Sequence, residues 1–484
     1  MANIRLVETS LRDGNQSLWA ALGVDTARTL TIAPVMERCG FKAIDFTTST
    51  HMGVAVRYKQ EDPWERIRAM AELCPNTPLQ FLSTGFRFIA WETASPEFMA
   101  LAFRTLVVNG IRRFALADPM NDVEGNLAGA RMAKAGGADC VVAALVFTLS
   151  PIHDDAHFAE RARLLAASPD VDALYIKDPG GLLTPARART LVPAILAEIG
   201  DKPLELHSHT TIGQAEAVYM DAPDLGIGTL QCASGAAADG TSNPKAQRVV
   251  RNLEALGHTI EIDHDALAEV DRYFTALAEA EGLPVGAPQP FDAAYMQHQL
   301  PGGMIGTMRR HLGEQRLTHL EGAVIEEIGR VREELGWPIV MTPFAQMVLT
   351  QSFMNVTGKE RYATIPDEVV RYAIGRFGRP NVPIADAVMD RIMASPRARE
   401  LAEEPEMADV KTLRARLGQR LSDEEFLLRA TMPSELVDAI RPNAPREYRA
   451  EASQAMRLIR ELLARTDVAQ VSVDKPGFRL ELAR

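Results

Sequence analysis

Residues 173–209 read ALYIKDPGGLLTPARARTLVPAILAEIGDKPLELHSH, and this stretch decides the fold. Ala173–Lys177 is a short apolar run with strand character. Pro185–Ile199 follows with helical spacing, and Leu204–His207 returns to a strand. The same alternation extends in both directions. Strands are expected at Ile4–Glu8, Ala43–Thr47, Leu79–Ser83, Arg113–Ala117, Cys140–Phe147 and Gly228–Cys232, with helical segments such as Asp122–Lys134 and Lys245–Leu256 between them. Eight strand-then-helix units before about Leu256 predict an α/β fold of the (β/α)8 TIM-barrel type. An open doubly wound sheet more often has five to seven strands and a Gly-rich phosphate turn. The chain has neither G-x-G-x-x-G nor a P-loop, so nucleotide binding by those routes is not indicated.

Past Gly257 the strand pattern fades. Asp265–Glu281, Arg316–Leu335 and Pro366–Tyr372 have helical spacing, so a mostly α-helical domain is expected after the barrel. Arg441–Pro445 reads as a linker. Beyond it an amphipathic helix is expected at Ala450–Arg465. A hairpin follows, with strands Val468–Val473 and Phe478–Leu482 around a Lys475-Pro476-Gly477 turn. The expected division is therefore a barrel domain over 1–257, a helical domain completing the active site over 258–440, and a helix-hairpin tail over 446–484.

The 484 residues exceed what one ordinary core organises, which agrees with more than one domain. The 46% hydrophobic and 24% charged content is that of a soluble globular protein. A net charge of −12 without a basic stripe argues against nucleic-acid binding. The N-terminus lacks the basic-then-apolar layout of a signal peptide, so a cytoplasmic location is expected. Cys39, Cys74, Cys140 and Cys232 show no C-x-x-C spacing and read as core thiols.

Catalytic side chains of a TIM barrel sit where strands end. Asp13 follows the first strand, Lys177 ends the sixth, and His207 and His209 end the seventh. Alternate residues of a strand face the same way, so both imidazoles point into the barrel mouth. A His-x-His pair also occurs as ordinary hydrogen-bonded histidines. A carboxylate ending another strand turns the pair toward a ligand set for zinc, manganese or cobalt. Lys177 has two readings as well, a salt-bridge partner or a neutral amine that reacts with CO2 to give an anionic carbamate.

The run Glu8-Thr9-Ser10-Leu11-Arg12-Asp13-Gly14-Asn15-Gln16-Ser17-Leu18 resembles the opening of the carboxyltransferase domain shared by pyruvate carboxylase, the oxaloacetate decarboxylase α subunit and the transcarboxylase 5S subunit. In the same order come Val56-Arg57-Tyr58 leading to Glu61-Asp62-Pro63-Trp64-Glu65-Arg66, and Ile176-Lys177-Asp178-Pro179-Gly180-Gly181-Leu182-Leu183-Thr184-Pro185. His207-Ser208-His209, Gly240-Thr241-Ser242-Asn243-Pro244 and Leu300-Pro301-Gly302-Gly303-Met304 complete the series. The resemblance runs to about Asp390.

It implies that Asp13, His207 and His209 bind a divalent metal, with Lys177 as a carbamylated fourth ligand. Arg57, Arg12 and Gln16 are implied to grip a substrate carboxylate or enolate oxygen. The family carries CO2 on biotin attached to a carrier domain; carboxybiotin releases it in a dry pocket, and the enolate of a 2-oxo acid captures it. No Met-Lys-Met-type biotinyl site occurs here, so the expected partners are a separate biotin carboxyl carrier protein and a biotin carboxylase subunit, with a small carboxylic acid such as pyruvate or oxaloacetate as substrate. The tail resembles the leading segment of carrier subunits and is equally an ordinary docked helix-hairpin. Family analogy suggests a homodimer or larger homo-oligomer.

Two departures lie near the substrate. Where the family has a Thr or Ser proton shuttle after the proline-glycine-glycine motif, this chain has Gly306, with Thr307 one place later. The segment Thr47–Gly53 before Arg57 also lacks a paired-glycine entry. The competing readings are a metal-dependent aldol lyase or Claisen-type acyl transferase, whose barrels share the Arg-Asp-Gly and His-x-His elements, and a scaffold subunit that holds metal without turnover.

Overall fold

A computed structural model describes residues 1–90, 93–300, 302–341, 343–378, 380, 382–404, 407–442, 470–475 and 478–483. Eight parallel strands close into a barrel: β1 Asn3–Glu8, β2 Ala43–Thr48, β3 Leu79–Ser83, β4 Ile111–Leu116, β5 Cys140–Val146, β6 Ala173–Asp178, β7 Leu204–Ser208 and β8 Thr229–Cys232. Closure comes from β1, which pairs with β8 at Leu6–Leu230 and with β2 at Val7–Ala43. The expected strands agree to within one or two residues. Their legibility has a physical cause: strands of a parallel barrel are covered on both faces and read as continuous apolar runs. A two-residue strand, β9 Thr259–Ile260, pairs with Asn3 and Ile4 and had no sequence signal.

The helices begin where their caps dictate. Thr184 accepts a hydrogen bond from the Arg187 amide, and Pro185 occupies the first turn of the helix Pro185–Leu196. Asp122 and Asp25 cap Val123–Ala135 and Thr26–Cys39 in the same way. Past the barrel the described chain is helical, as expected, with one correction. The helix expected over Arg316–Leu335 starts late: Arg316, whose φ of 61° is left-handed, and a single 3-10 turn at Thr318–Leu320 separate the preceding helix Gly302–Glu314 from the helix Glu321–Glu334. The helix expected at Ala450–Arg465 lies outside the described residues. The hairpin strands are β10 Gln470–Lys475 and β11 Phe478–Ala483, paired antiparallel; Pro476 and Gly477 of their turn lie outside the described residues.

Three apolar clusters organise the described chain. One sits between the barrel strands and their outer helices, and a second holds the helical region together around Phe344, Val348 and Tyr372. The third lies inside the barrel, where Leu82, Ala117 and Val146 meet Ile339 and Met341 of the helical region. That segment stoppers the β3–β5 side of the mouth with hydrocarbon. The strap from Leu283 toward Tyr295 also ties down mouth loops. Gly286 donates to the Ala236 carbonyl at 3.0 Å and the Ala287 carbonyl accepts from Gly240 at 2.9 Å. A Cβ on Gly286 would come within 1.9 Å of the Ala238 oxygen, so only glycine fits. Cys39, Cys74 and Cys232 are buried and Cys140 is half-buried. Among the described residues no helix is long and apolar enough to cross a membrane.

Candidate metal centre

β1 delivers its polar residues through a five-residue π-helical turn, Ser10–Gly14. The turn is seated by the Thr9 amide on the Cys232 carbonyl at 2.9 Å. Gly14 lies against Ala237, whose oxygen a Cβ would approach to 2.6 Å. This seating turns Asp13 inward, where it is buried. Across the mouth β7 contributes His207, and His209 follows its last residue. The Asp13 Oδ2 lies 2.7 Å from His207 Nε2 and 3.1 Å from His209 Nε2, and the two Nε2 atoms are 3.1 Å apart. Lys177 from β6 brings its Nζ to 3.2 Å from His207 Nε2, as expected for register partners on adjacent strands.

The second nitrogen of each ring explains what the first is for. His207 Nδ1 lies 2.8 Å from Gln231 Oε1 and His209 Nδ1 lies 2.6 Å from the Thr241 carbonyl. Both neighbours accept only, so both Nδ1 atoms carry the proton and both Nε2 atoms present lone pairs. Two lone pairs and a carboxylate oxygen therefore face one another in a buried space, an arrangement that repels itself unless a cation sits between them. Among the described residues Asp13, His207 and His209 have ligand atoms all within 4.8 Å of one another. The donor set of two imidazoles and one carboxylate fits a divalent metal.

The electrostatics agree. Burial pushes His207 down to about 3, with the Lys177 charge adding to it, so the imidazole is neutral and free to ligate. Burial by itself would raise the Asp13 carboxyl. Arg12, His209, His207 and Lys177 outweigh it and hold Asp13 well below the ordinary carboxylate range. Burial also brings the Lys177 amine down to about 8, against the pull of Asp13.

The other expected site residues fall at different distances from this centre. Arg12 is buried with its guanidinium committed. Nε donates to Asp45 Oδ2 at 2.7 Å, Nη2 contacts the same carboxylate, and Nη1 lies 3.3 Å from Asp13 Oδ1. Gln16 is half-buried, and its Oε1 is buried without a hydrogen-bond partner. Arg57 is exposed on a π-helical turn, Ala55–Lys59, after β2. The segment Thr47–Gly53, which lacks the paired-glycine entry, runs from the end of β2 into the short helix Ser49–Val54. Gly306 and Thr307 belong to the helix Gly302–Glu314; the Thr307 side chain lies outside the described residues, as does Pro301.

Residues with no prior expectation complete the site. Ser17 Oγ donates to Asp13 Oδ1 at 2.9 Å, and Asn243 Nδ2 donates to the Ser208 carbonyl at 3.0 Å beneath the histidines. Tyr175 Oη is buried without a partner, and the His51 ring is buried beside the Arg12 backbone. Each orphaned polar atom costs about 1–3 kcal/mol, so such a group near a mouth is suited to a ligand. Tyr175 had a sequence signal, since it stands two residues before Lys177 on the same face of β6. Thr241 had none, because its contribution is a backbone carbonyl.

The buried histidines make stability depend on pH. His51, His153 and His207 are pushed by burial to about 3, and His157 and His298 to about 4. Unfolded, each titrates near 6.5. Between these values the unfolded chain binds protons that the fold does not. Their stabilising contribution is fully present above about 6.5 and is lost as pH falls toward 4. Glu8, raised by burial to about 7, and Asp118, raised to about 6, work the other way. Asp62 and Asp178, also raised by burial, add to these two, and the five histidines outweigh the four carboxyls. The metal-stripped protein is expected to unfold at lower urea concentration at pH 5 than at pH 7.5; an equal or higher midpoint at pH 5 would remove this account.

A family model described as "HMGL-like" matches residues 3–273, more than half of the chain, and one described as "Conserved carboxylase domain" matches residues 296–475. A pyruvate carboxylase subunit of Methanocaldococcus jannaschii is 32% identical over 99% of this chain and 84% of its own length. The chain belongs to the carboxyltransferase family of the biotin-dependent carboxylases. Another member, the 2-oxoglutarate carboxylase large subunit of Hydrogenobacter thermophilus, is 31% identical over 90% of this chain and 68% of its own. The carboxyl transferase domain of Rhizobium etli pyruvate carboxylase, solved with pyruvate, shares the fold with a TM-score of 0.80 at 23% identity, over 91% of this chain and 77% of that one. The family's expected fold, a barrel followed by a helical region, is the one described above.

Proposed function

We propose that this chain transfers a carboxyl group between carboxybiotin, presented by a separate carrier protein, and the enolate of a small 2-oxo acid of the pyruvate or oxaloacetate kind. The observation that carries the reading is the convergence of Asp13, His207 and His209 on one buried point with the Lys177 amine beside it. Asp13, His207 and His209 would hold a divalent zinc, manganese or cobalt ion, with Lys177 as a carbamate supplying a further anionic oxygen. Bound there, the cation supplies positive potential that lowers the energy of an enolate oxygen. The protein's own groups do the rest. Gln16 Oε1 and, beneath the metal group, Tyr175 Oη offer unsatisfied polar atoms, Arg12 orients Asp13, and Ile339 and Met341 exclude water from one side.

Relatives named for pyruvate and for 2-oxoglutarate support the class of 2-oxo acid rather than one member of it. Arg57 is our candidate for the substrate carboxylate: it is exposed beyond β2 without an ion-pair partner among the described residues. Arg57→Lys, which replaces a planar fork by a point charge, is expected to raise KM about tenfold with kcat little changed. An unchanged KM would remove Arg57 from the site. Thr307 stands in for the proton shuttle absent at Gly306 on this reading. The barrel over 1–257 and helical domain over 258–440 act as one catalytic unit in the cytoplasm, and the tail over 446–484 serves assembly with the carrier and biotin carboxylase subunits. A homodimer is the proposed minimal state.

The test is decarboxylation of a 3-carboxy 2-oxo acid such as oxaloacetate in the presence of free biotin. Metal-dependent CO2 release with pyruvate as product is expected. Cleavage of a carbon–carbon bond to an aldehyde or an acyl thioester would favour the lyase or Claisen reading, and metal retention with no turnover on any 2-oxo acid would favour the scaffold reading.

A further inference from the structure

A TIM-barrel interior is ordinarily filled by branched aliphatic side chains. This barrel departs from that in one layer beneath the metal group. Asp45 and Gln80 are register partners, as are Gln80 and Arg113, and Tyr175 and Glu205. All five are buried to 3% exposure or less. Burying so much polarity is unfavourable unless the groups are paired. Tyr175 Oη has no partner, and the other four belong to two chains of hydrogen bonds that run from the metal ligands and meet.

The first starts at Asp13. Arg12 bridges Asp13 and Asp45, Gln80 Nε2 donates to Asp45 Oδ1 at 3.0 Å, and Arg113 Nε donates to Gln80 Oε1 at 2.7 Å. The second starts at His207. Its Nδ1 donates to Gln231 Oε1 at 2.8 Å, Gln231 Nε2 donates to Glu205 Oε2 at 3.4 Å, and Arg113 Nη2 donates to the same oxygen at 2.6 Å. From the opposite end of the barrel Lys42 Nζ donates to Glu205 Oε1 at 2.8 Å and Thr229 Oγ1 at 2.9 Å.

The direction of these bonds is what matters. Arg113 only donates and ionised Glu205 only accepts. The Gln231 amide must therefore turn its NH2 to Glu205 and its oxygen to His207. That oxygen accepts only a proton, so His207 carries it on Nδ1 and presents a bare Nε2 to the cation. We infer that Gln231, Glu205 and Arg113 are positioning residues of the metal centre, whose bond polarity dictates the tautomer of His207. The inference rests on the metal reading proposed above.

Cobalt(II) binding to the metal-stripped full-length chain tests it, read by affinity and by the visible absorption of the bound ion. Gln231→Leu and Glu205→Gln are each expected to weaken cobalt about 10–100-fold and to shift the absorption bands. The double variant is expected to bind no more weakly than Gln231→Leu alone, since Glu205 reaches His207 only through Gln231. Should Glu205→Gln fail to fold, Gln231→Leu decides, because there Glu205 keeps Arg113 and Lys42. Native affinity and an unshifted spectrum in folded Gln231→Leu would overturn the inference while leaving the metal reading intact. Absence of cobalt binding by the unaltered chain would overturn the metal reading instead.

Discussion

Replacing His209 by alanine is expected to empty the metal centre and to lower carboxyl transfer by about a thousandfold or more. The magnitude follows from what the ligand set does. Loss of one imidazole leaves Asp13 and His207 as the remaining side-chain ligands among the converging three, and a divalent ion contributes several kcal/mol to stabilising an enolate-like charge. At 1.36 kcal/mol per tenfold, losing about 4 kcal/mol corresponds to that rate. The fold is expected to survive, because His209 sits just past β7 and belongs to none of the three apolar clusters. The measurements are metal content by mass spectrometry after dialysis, alongside turnover. Full activity in a metal-free His209→Ala protein would refute the assignment.

Lys177→Ala is expected to be the second most damaging change, costing about a hundredfold or more in activity with a clear loss of metal affinity. The amine is buried, 3.2 Å from His207 Nε2, and pushed by burial to about 8. A sizeable neutral fraction therefore exists near neutral pH, which carbamate formation requires. In the unaltered protein, native mass spectrometry is expected to show one added CO2, absent from Lys177→Ala. Lys202 makes an informative comparison. The sequence suggests a solvated amine there, but its Nζ donates to the carbonyls of Ser168 and Val171 and ties two loop segments together. Lys202→Ala is thus expected to lower stability by about 1 kcal/mol while leaving metal content unchanged. Equal metal loss in both lysine variants, or no CO2 adduct in the unaltered chain at any pH, would dispose of the carbamate.

The two lysines mark the limit of what local sequence reports. Lys177 ends a strand in a repeating strand-helix pattern, so its position in a barrel mouth follows from period and count alone. Lys202 lies in a turn, and nothing near it in sequence reveals the two carbonyls it meets more than thirty residues back. Gln231, Glu205 and Asp45 fall between these cases. Each is a polar residue with an apolar neighbour on either side in a buried strand, a signal that something polar must meet it, though not what. The stopper formed by Ile339 and Met341 was illegible for a different reason: an apolar pair after a helix has no preferred partner until the helical region docks.

By itself the sequence determined the elements and their facing. A period of two carried through the end of β7 puts His207 and His209 on one side, and eight apolar runs, each followed by a helix, point to a closed parallel sheet. Only the tertiary structure decided which polar groups meet, because Asp13 and His209 stand 196 positions apart yet their atoms lie 3.1 Å apart. Hydrogen-bond direction, tautomer and desolvation are properties of that meeting rather than of any residue, and they exist only once barrel closure has brought the strand ends around one point.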